Sequence, residues 1–163
     1  MDTFTREELE RVVSRSSLPG IDPTELRVVQ EFLRRHGAEF REYRFNVRVG
    51  EGVTLAGDYG EKFIEDWRRR TQMRLDLVCW NPPNLATLVE AKVQWMNDAV
   101  WQLLNYRDHY QTDHPGEQLS LAGICEAYTP NARTLAGDQG IRLYVYRFPA
   151  ELPAAAATSA EEA

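Results

Sequence analysis

Two apolar segments in the middle of the chain, separated by only four residues, most constrain how this protein can fold. The first is RLDLVCW and the second is LATLVEAKV, with NPPN between them. Short apolar runs bounded by turn-forming residues indicate buried strands. A linker of four residues with two prolines favours a turn. If that turn joins the strands in a hairpin, Asp76 stands beside Glu90.

The segments on either side extend this hairpin into a mixed α/β structure. Apolar residues recur with helical spacing or alternate with polar ones, which separates helices from strands. The predicted helices cover residues 5–13, 22–37, 61–72, 96–110 and 130–140, and the further strands cover 42–50, 119–128 and 141–148. The strand–helix–strand order after the hairpin favours parallel strands with a right-handed crossover. The predicted fold class is therefore α/β, with a mixed β-sheet flanked by helices.

Composition limits the class of protein. The chain has 163 residues, which suits one domain with a full core. No apolar stretch reaches the ~20 residues that span a bilayer, and the N-terminal MDTFTREELE is acidic and polar rather than signal-like. Two cysteines in apolar segments indicate buried free thiols in a reducing compartment. We therefore expect a cytoplasmic protein that does not enter membranes.

The charge of the chain is uneven. A net charge of −6 argues against non-specific coating of nucleic acid. The segment WRRRTQMR nevertheless places Arg68, Arg69, Arg70 and Arg74 close together, next to Trp67. A solvated helix face and a clamp for DNA both fit this segment.

Lysine is almost absent, and this makes Lys92 informative. The chain has 19 basic residues, of which only Lys62 and Lys92 are lysines. Unlike a guanidinium, an ammonium is compact and its pKa responds to its surroundings. Lys92 follows Glu90 by two residues in an apolar run, so both side chains lie on one face of the strand.

Asp76, Glu90 and Lys92 together suit one kind of chemistry. Two carboxylates on adjacent strands form an oxygen-rich site for Mg²⁺ or Mn²⁺. A neighbouring lysine can orient or help to deprotonate a metal-bound water, and can offset charge on a phosphorane-like transition state. These are the groups needed to cut a phosphodiester.

The next helix adds a further pair of polar residues. Gln102 and Tyr106 are one helical turn apart and share a face of the helix. That face follows the Lys92 strand and can look back at the carboxylates. Gln102 could hold a water or Lys92, and Tyr106 could contact a phosphate or a base.

These motifs resemble the PD-(D/E)XK nuclease superfamily with its RecB-type QxxxY helix. The order RLDLV, LVEAKV, DAVWQLLNYRDHY and LAGICEAYTPNARTLAGDQGIRLYVY is more narrowly similar to the C-terminal nuclease domain of the NucS mismatch endonucleases. The resemblance covers roughly residues 24 to 148 and does not include the N-terminal DNA-binding domain of that family. It implies a restriction-endonuclease-like fold and divalent-metal-dependent cleavage of DNA.

The resemblance also implies roles for individual residues. Asp76, Glu90 and the backbone carbonyl of Ala91 would bind Mg²⁺ or Mn²⁺, and Lys92, Gln102 and Tyr106 would complete the catalytic site. Many members add an acidic residue from the first helix, for which Glu31 and Glu25 are both candidates.

The resemblance also divides the chain. Residues 1–20 would form an N-terminal helical extension, and residues 21–149 the nuclease-like domain. Residues 50 to 72, approximately, form an insertion relative to the family. The tail of residues 150–163 has too few large apolar residues to build a core and is expected to be disordered.

Other interpretations remain open. A buried Asp–Lys pair can serve stability alone, and the same fold can act as an inactive DNA-binding or scaffold module. RNA or single-stranded DNA would suit the same chemistry as double-stranded DNA. A two-fold homodimer is compatible with an enzyme that cuts both strands.

Overall fold

A computed structural model describes residues 3–81 and 84–149 of the chain. Within these ranges the strands and helices are β1 (Thr3–Thr5), α1 (Leu9–Val13), α2 (Leu26–His36), β2 (Glu42–Val49), α3 (Glu61–Thr71), β3 (Met73–Asn81), β4 (Leu85–Trp95), α4 (Asn97–Asp113), β5 (Gln118–Tyr128), α5 (Pro130–Asp138) and β6 (Ile141–Val145). Two short 3-10 turns precede α1 and follow α2. The tail that was expected to be disordered lies outside the described residues.

The strands form one mixed sheet in the order β1-β2-β3-β4-β5-β6. Neighbours are antiparallel from β1 to β4 and parallel from β4 to β6. The hairpin across NPPN and the parallel strands of the second half are therefore confirmed, as is the α/β fold class.

The chain termini differ in detail from the sequence prediction. The first helix was predicted from residue 5, but Thr3–Thr5 pairs with β2 as an edge strand and α1 begins only at Leu9. A three-residue strand is too short to show a period of two. Strand β6 ends at Val145 rather than at residue 148.

Hydrophobic cores lie on both faces of the sheet. One core joins α1 and α2 to sheet residues such as Val89 and Ile124. The other joins α4 and α5 to residues such as Leu88 and Cys125. Neighbouring residues of one strand thus enter opposite cores, as the alternation of side chains along a strand requires.

The N-terminal 20 residues contribute to the first of these cores. Phe4 of β1, Val12 of α1 and Leu18 of the following loop are all buried there, against the side chains of α2. Burying such apolar side chains stabilises the fold by about 1.5–3 kcal/mol each.

Helix α3 differs from the other long helices because none of its residues is buried. The rings of Phe63 and Trp67 on this helix and of Tyr59 just before it form an exposed row, with successive centroids 5.5 and 6.3 Å apart. The helix is attached at its C-terminal end, where Thr71 Oγ1 accepts the backbone N–H of Val53 at 2.8 Å. None of the described helices is both long and apolar enough to cross a membrane.

Substituting Gly123 tests the packing that supports the middle of the sheet. Gly123 pairs with Glu90 across the β4–β5 ladder, and a Cβ atom there would lie 2.5 Å from Cη2 of the buried Trp95 ring. We expect Gly123→Ala to lower the free energy of unfolding by about 1–3 kcal/mol through overpacking, as measured by urea denaturation.

Gly137 in α5 provides the matched control. A Cβ atom at Gly137 meets no other atom within 4 Å, so Gly137→Ala should raise stability by up to about 1 kcal/mol through helix propensity. Equal effects of the two substitutions would contradict the packing argument.

Candidate active site

The candidate site forms where β3 and β4 stop pairing. Their antiparallel ladder ends at the pair Leu77 and Val89. One residue beyond it, Asp76 Oδ2 accepts the backbone N–H of Ala91 at 2.8 Å. The carboxylate thus replaces the ladder partner of that N–H and fixes the position of Asp76 against the Glu90–Lys92 segment.

Asn46, which the sequence analysis did not single out, helps to create this irregularity. Asn46 has a φ of 54° in the middle of β2, a left-handed conformation that asparagine tolerates better than most residues. The ladder pairs on its two sides are Phe45–Leu77 and Val47–Leu75. The first pair enters the core beside α2 and the second enters the core beside α4. At Asn46 in β2 and at Asp76 in β3, the alternation of side chains between the two faces of the sheet is therefore shifted by one residue.

Glu90 and Lys92 lie side by side, as their spacing of two predicted. Lys92 Nζ donates to Glu90 Oε1 at 2.6 Å and to the backbone carbonyl of Ala91 at 2.9 Å. Glu90 is 1% exposed, which is rare for a carboxylate. Its second oxygen, Oε2, is buried without a hydrogen-bond partner among the described residues.

The two strand carboxyls influence each other's ionisation. Burial, followed by the charge of Asp76, raises the pKa of Glu90 to about 8, although Lys92 opposes the rise. Burial also raises the pKa of Asp76, against the Ala91 N–H, the charge of Lys92 and a hydrogen bond with the Glu90 carboxyl, which all favour its ionised form. Two adjacent buried carboxylates repel each other, so without a further cation one of them tends to keep a proton.

Lys92 is an ammonium in this arrangement. Burial lowers its pKa, but the charges of Glu90, Asp76 and Glu25 outweigh burial, so the pKa is raised overall. A lysine with a raised pKa is a poor proton acceptor near neutral pH. The geometry therefore favours Lys92 as a hydrogen-bond donor and positive charge over Lys92 as a base.

The first long helix brings Glu25 to this cluster and not Glu31. Glu25 precedes α2, and its Oε1 lies 3.7 Å from Lys92 Nζ. Burial raises the pKa of Glu25, and the charge of Asp76 raises it further against Lys92. Glu31 lies further along α2, where its carboxylate pairs with Arg34 at 2.9 Å and with Arg35 at 2.7 Å.

Gln102 and Tyr106 face the cluster from α4. Gln102 Nε2 donates to the Tyr106 hydroxyl at 2.6 Å. Burial raises the pKa of Tyr106, the bond from Gln102 opposes this, and the charges of Glu90 and Asp76 raise it further. Because the hydroxyl oxygen accepts from Gln102, the Tyr106 proton is available to another acceptor.

Three of the four predicted DNA-binding arginines lie on α3, and the fourth lies on β3 near Asp76. Arg68, Arg69 and Arg70 form the exposed last turn of α3, where Arg69 pairs with Glu65 at 2.9 Å. Arg74 lies on β3 and donates to Asn46 Oδ1 at 3.1 Å.

The oxygen atoms of the cluster suit a hard divalent cation. Glu25, Asp76 and Glu90 supply three carboxyls against the single ammonium of Lys92, and Glu90 Oε2 lacks a partner among the described residues. Among residues 3–81 and 84–149, no three Asp, Glu, His or Cys side chains form a ready-made metal cage. Mg²⁺ seldom uses one, since it is usually held by one or two carboxylates, waters and substrate oxygens.

Comparisons with known proteins add fold neighbours and no sequence relatives. The chain matches no protein-family model and no curated protein by sequence. Among solved structures it is similar to a repair endonuclease from Pyrococcus abyssi, with 13% identity and a TM-score of 0.47 over 82% of this chain and 50% of that chain. It is also similar to EndoMS in its apo form, with 14% identity and a TM-score of 0.43 over 80% and 49% of the two chains.

A third similar structure is a protein of unknown function, with 16% identity and a TM-score of 0.44 over 75% of this chain and 56% of that chain. This chain therefore spans about half the length of the solved chains that it matches.

The pH dependence of stability tests the buried carboxyl. A raised pKa means that the contribution of Glu90 to stability is fully present below about pH 4.5 and is lost as pH rises towards 8. Glu90→Gln removes this loss and keeps an acceptor for Lys92. In chelator-containing buffer we expect the free energy of unfolding of the variant, relative to that of the wild type, to increase between pH 5 and pH 8. The expected increase is on the order of 1–3 kcal/mol.

The matched control is Glu65→Gln on α3, because the Glu65 side chain is 65% exposed. Its carboxylate stays solvated in the folded and unfolded states, so its effect on stability should be small at every pH. A stability difference for Glu90→Gln that does not change with pH would show that Glu90 is ionised throughout.

Proposed function

We propose that this protein is a divalent-metal-dependent endonuclease that hydrolyses phosphodiester bonds of DNA. The observation that carries the proposal is the buried carboxylate of Glu90. Its Oε2 has no described partner, while Asp76 is held beside it and Lys92 donates to its other oxygen. Burying charge in this way is costly for stability. A function that needs concentrated negative charge gives a reason for it.

Asp76, Glu90 and the Ala91 carbonyl are the groups that would hold Mg²⁺ or Mn²⁺. Glu25 is the acidic residue from the first helix best placed to join them, through its contact with Lys92. When bound, such an ion supplies an activated water and offsets charge on a phosphate oxygen.

Lys92 would act through its position and charge. Its ammonium already donates to Glu90 and to the Ala91 carbonyl, two of the groups assigned to the metal. Glu25 Oε1 lies 3.7 Å from Nζ, beyond hydrogen-bond distance, so the third ammonium proton would be shared between Glu25 and a water or phosphate oxygen. Donors fixed in advance near developing negative charge stabilise a transition state more than mobile water does.

Gln102 and Tyr106 would support the same site from α4. The bond from Gln102 restrains the Tyr106 hydroxyl, and the buried ring of Tyr106 limits its movement. With its oxygen accepting from Gln102, Tyr106 can donate its proton to a phosphate oxygen or to a carboxylate of the cluster.

The exposed side of α3 would contact the DNA. Arg68 and Arg70 have no described ion-pair partner, and Phe63 and Trp67 present exposed rings next to them. Arginines bind phosphates and aromatic rings stack on bases, so this helix suits a nucleic acid. The two-fold homodimer stays a prediction.

Cleavage of supercoiled plasmid in the presence of Mg²⁺ or Mn²⁺ tests the activity, and Lys92→Arg tests the role of the lysine. Arginine keeps the charge, but its longer planar group cannot reproduce the two bonds of the compact ammonium. We expect Lys92→Arg to nick the plasmid about 10²-fold more slowly than the wild type, a loss typical of a positioned catalytic group.

Lys62→Arg is the matched control, since Lys62 is the only other lysine and is exposed on α3. It should cleave at the wild-type rate. No nicking by the wild type with either metal would favour a non-catalytic module. Cleavage of single-stranded DNA or RNA in preference to plasmid would change the substrate and keep the chemistry.

The arginines of α3 can be tested by the salt dependence of binding. Each phosphate contact contributes ~0.9 to the slope of log affinity against log salt for duplex DNA. Replacing Arg68, Arg69 and Arg70 by Ala should weaken DNA binding and lower that slope by about 1 to 3 in a fluorescence anisotropy titration. An unchanged slope would mean that these arginines only form a solvent-exposed face of the helix and do not contact DNA.

A further inference from the structure

Three arginines converge at the open edge of the sheet, away from the catalytic cluster. They line a surface hollow of about 480 Å³, which we call the arginine hollow. Its lining residues are Arg35, Tyr128, Arg133, Leu143, Val145 and Arg147. Arg35 comes from α2, Arg133 comes from α5, and Arg147 follows β6. No single amphipathic pattern places these residues together, since they come from three separate parts of the chain.

The hollow is positive although the chain is acidic. It has no carboxylate among its lining residues, whereas the net charge of the whole chain is −6. Arg147 is exposed and has no hydrogen bond or ion pair within residues 3–81 and 84–149. Its guanidinium therefore lacks a protein counter-charge in the described part of the chain.

The other two arginines are restrained and keep donors free. Arg133 Nη1 donates to the Tyr128 hydroxyl at 2.7 Å. Arg35 uses its Nε for Glu31 at 2.7 Å and lies over the Tyr146 ring, with 61% of its side chain exposed. In both residues at least one terminal nitrogen has no described partner. Pre-positioned guanidinium groups with free N–H donors are well suited to bind phosphate oxygens.

The hollow lies at the same end of the parallel strands as the catalytic cluster. Tyr128 is the last residue of β5 and Val145 is the last of β6. Glu90 is the middle residue of β4, and Lys92, two residues further on, is level with Cys125 and Val145 across the sheet. Strand β6 is two strands from β4, which corresponds to roughly 10 Å at ~4.8 Å per strand. Phosphates of one DNA strand recur every ~3.4 Å along the helix axis, so a duplex lying across the sheet from β4 to β6 would place about three phosphates along this offset.

We propose that the arginine hollow binds backbone phosphates of the nucleic acid a few nucleotides away from the phosphodiester that is cut. The proposal rests on the proposed function, because it takes nucleic acid as the substrate, and it adds a second contact region on the opposite side of the cluster from α3. The hollow would set which phosphate reaches Glu90 and Lys92 by holding its neighbours. An acidic peptide could also contact arginines. However, the aliphatic lining consists of the half-buried Leu143 and Val145, and the Tyr128 ring is already covered by the Arg133 guanidinium 5.2 Å from its centroid, which offers such a peptide little anchorage.

Binding of a labelled DNA duplex in EDTA, where no metal supports cleavage, tests the proposal. The test variant replaces Arg35, Arg133 and Arg147 by Gln. The control variant replaces Arg11, Arg34 and Arg107 by Gln, because these arginines lie outside the hollow and pair with acidic neighbours. Both variants remove three positive charges, and the control removes them from arginines outside the hollow whose charge is already offset by a neighbouring carboxylate.

We expect the test variant to bind DNA at least about 10-fold more weakly than the wild type, and its salt slope to fall by about 2 to 3. The slope of the control variant should change by less than about 1. Arg147→Gln alone is a second variant. The Arg147 side chain that it removes makes no hydrogen bond or ion pair with the described residues. This variant should lower the slope by about 1 with an unchanged thermal unfolding midpoint.

Equal losses in the test and control variants would overturn the proposal, since only overall charge would then matter. Unchanged DNA binding with lost binding of a poly-glutamate peptide would overturn it in favour of a protein ligand. If the wild type binds DNA through the hollow and never nicks plasmid, the proposed function fails and the binding site stands. If it nicks plasmid and the test variant binds DNA normally, the function stands and the hollow has no part in it.

Discussion

The hydrogen bond from the Ala91 N–H to the Asp76 carboxylate is the contact on which the candidate site depends. It occurs where the β3–β4 ladder has ended, so a side chain takes the place of a backbone acceptor. An unpaired buried N–H would cost about 1–3 kcal/mol. The bond therefore satisfies the sheet and, at the same time, fixes a carboxylate beside Glu90 and Lys92.

The site built on this bond has opposite consequences for stability and for function. Glu90 is almost completely buried beside another carboxyl, and Lys92 neutralises only part of their charge. Proteins rarely keep such an arrangement for stability, because apolar residues of similar size would fill the space at lower cost. The rest of the sheet is buried on both faces. Its packing supplies the stability that offsets the cost of burying Glu90.

The parallel half of the sheet determines where a substrate could be held. Strands β4, β5 and β6 run in the same direction, so their C-terminal ends lie at one edge. The candidate site on β4 and the arginine hollow beside β6 both lie towards that edge. The exposed α3 joins the start of β3, which lies at the same end because β3 is antiparallel to β4. The three regions thus lie towards the same end of the strands, with the candidate site between α3 and the hollow along the order of the sheet.

Local periodicity was sufficient to predict much of the fold and part of the site. The period of two in LVEAKV determined that Glu90 and Lys92 share a face, and the helical period determined that Gln102 and Tyr106 share another. The short NPPN linker determined the hairpin that brings Asp76 near them. These relations hold within one element or across one turn, where sequence distance and spatial distance are nearly the same.

Only the tertiary structure decided the relations between distant elements. Glu25 and Glu31 both lie at the first long helix, and the packing of α2 against the sheet brings Glu25 to Lys92 while Glu31 pairs with arginines. The left-handed conformation of Asn46 within β2 and the pairing of β1 with β2 likewise depend on a partner strand. The arginine hollow gathers three residues that no sequence pattern links. The sequence by itself determined the chemistry within each element, whereas contacts between elements depend on how the two cores pack, which no local pattern encodes.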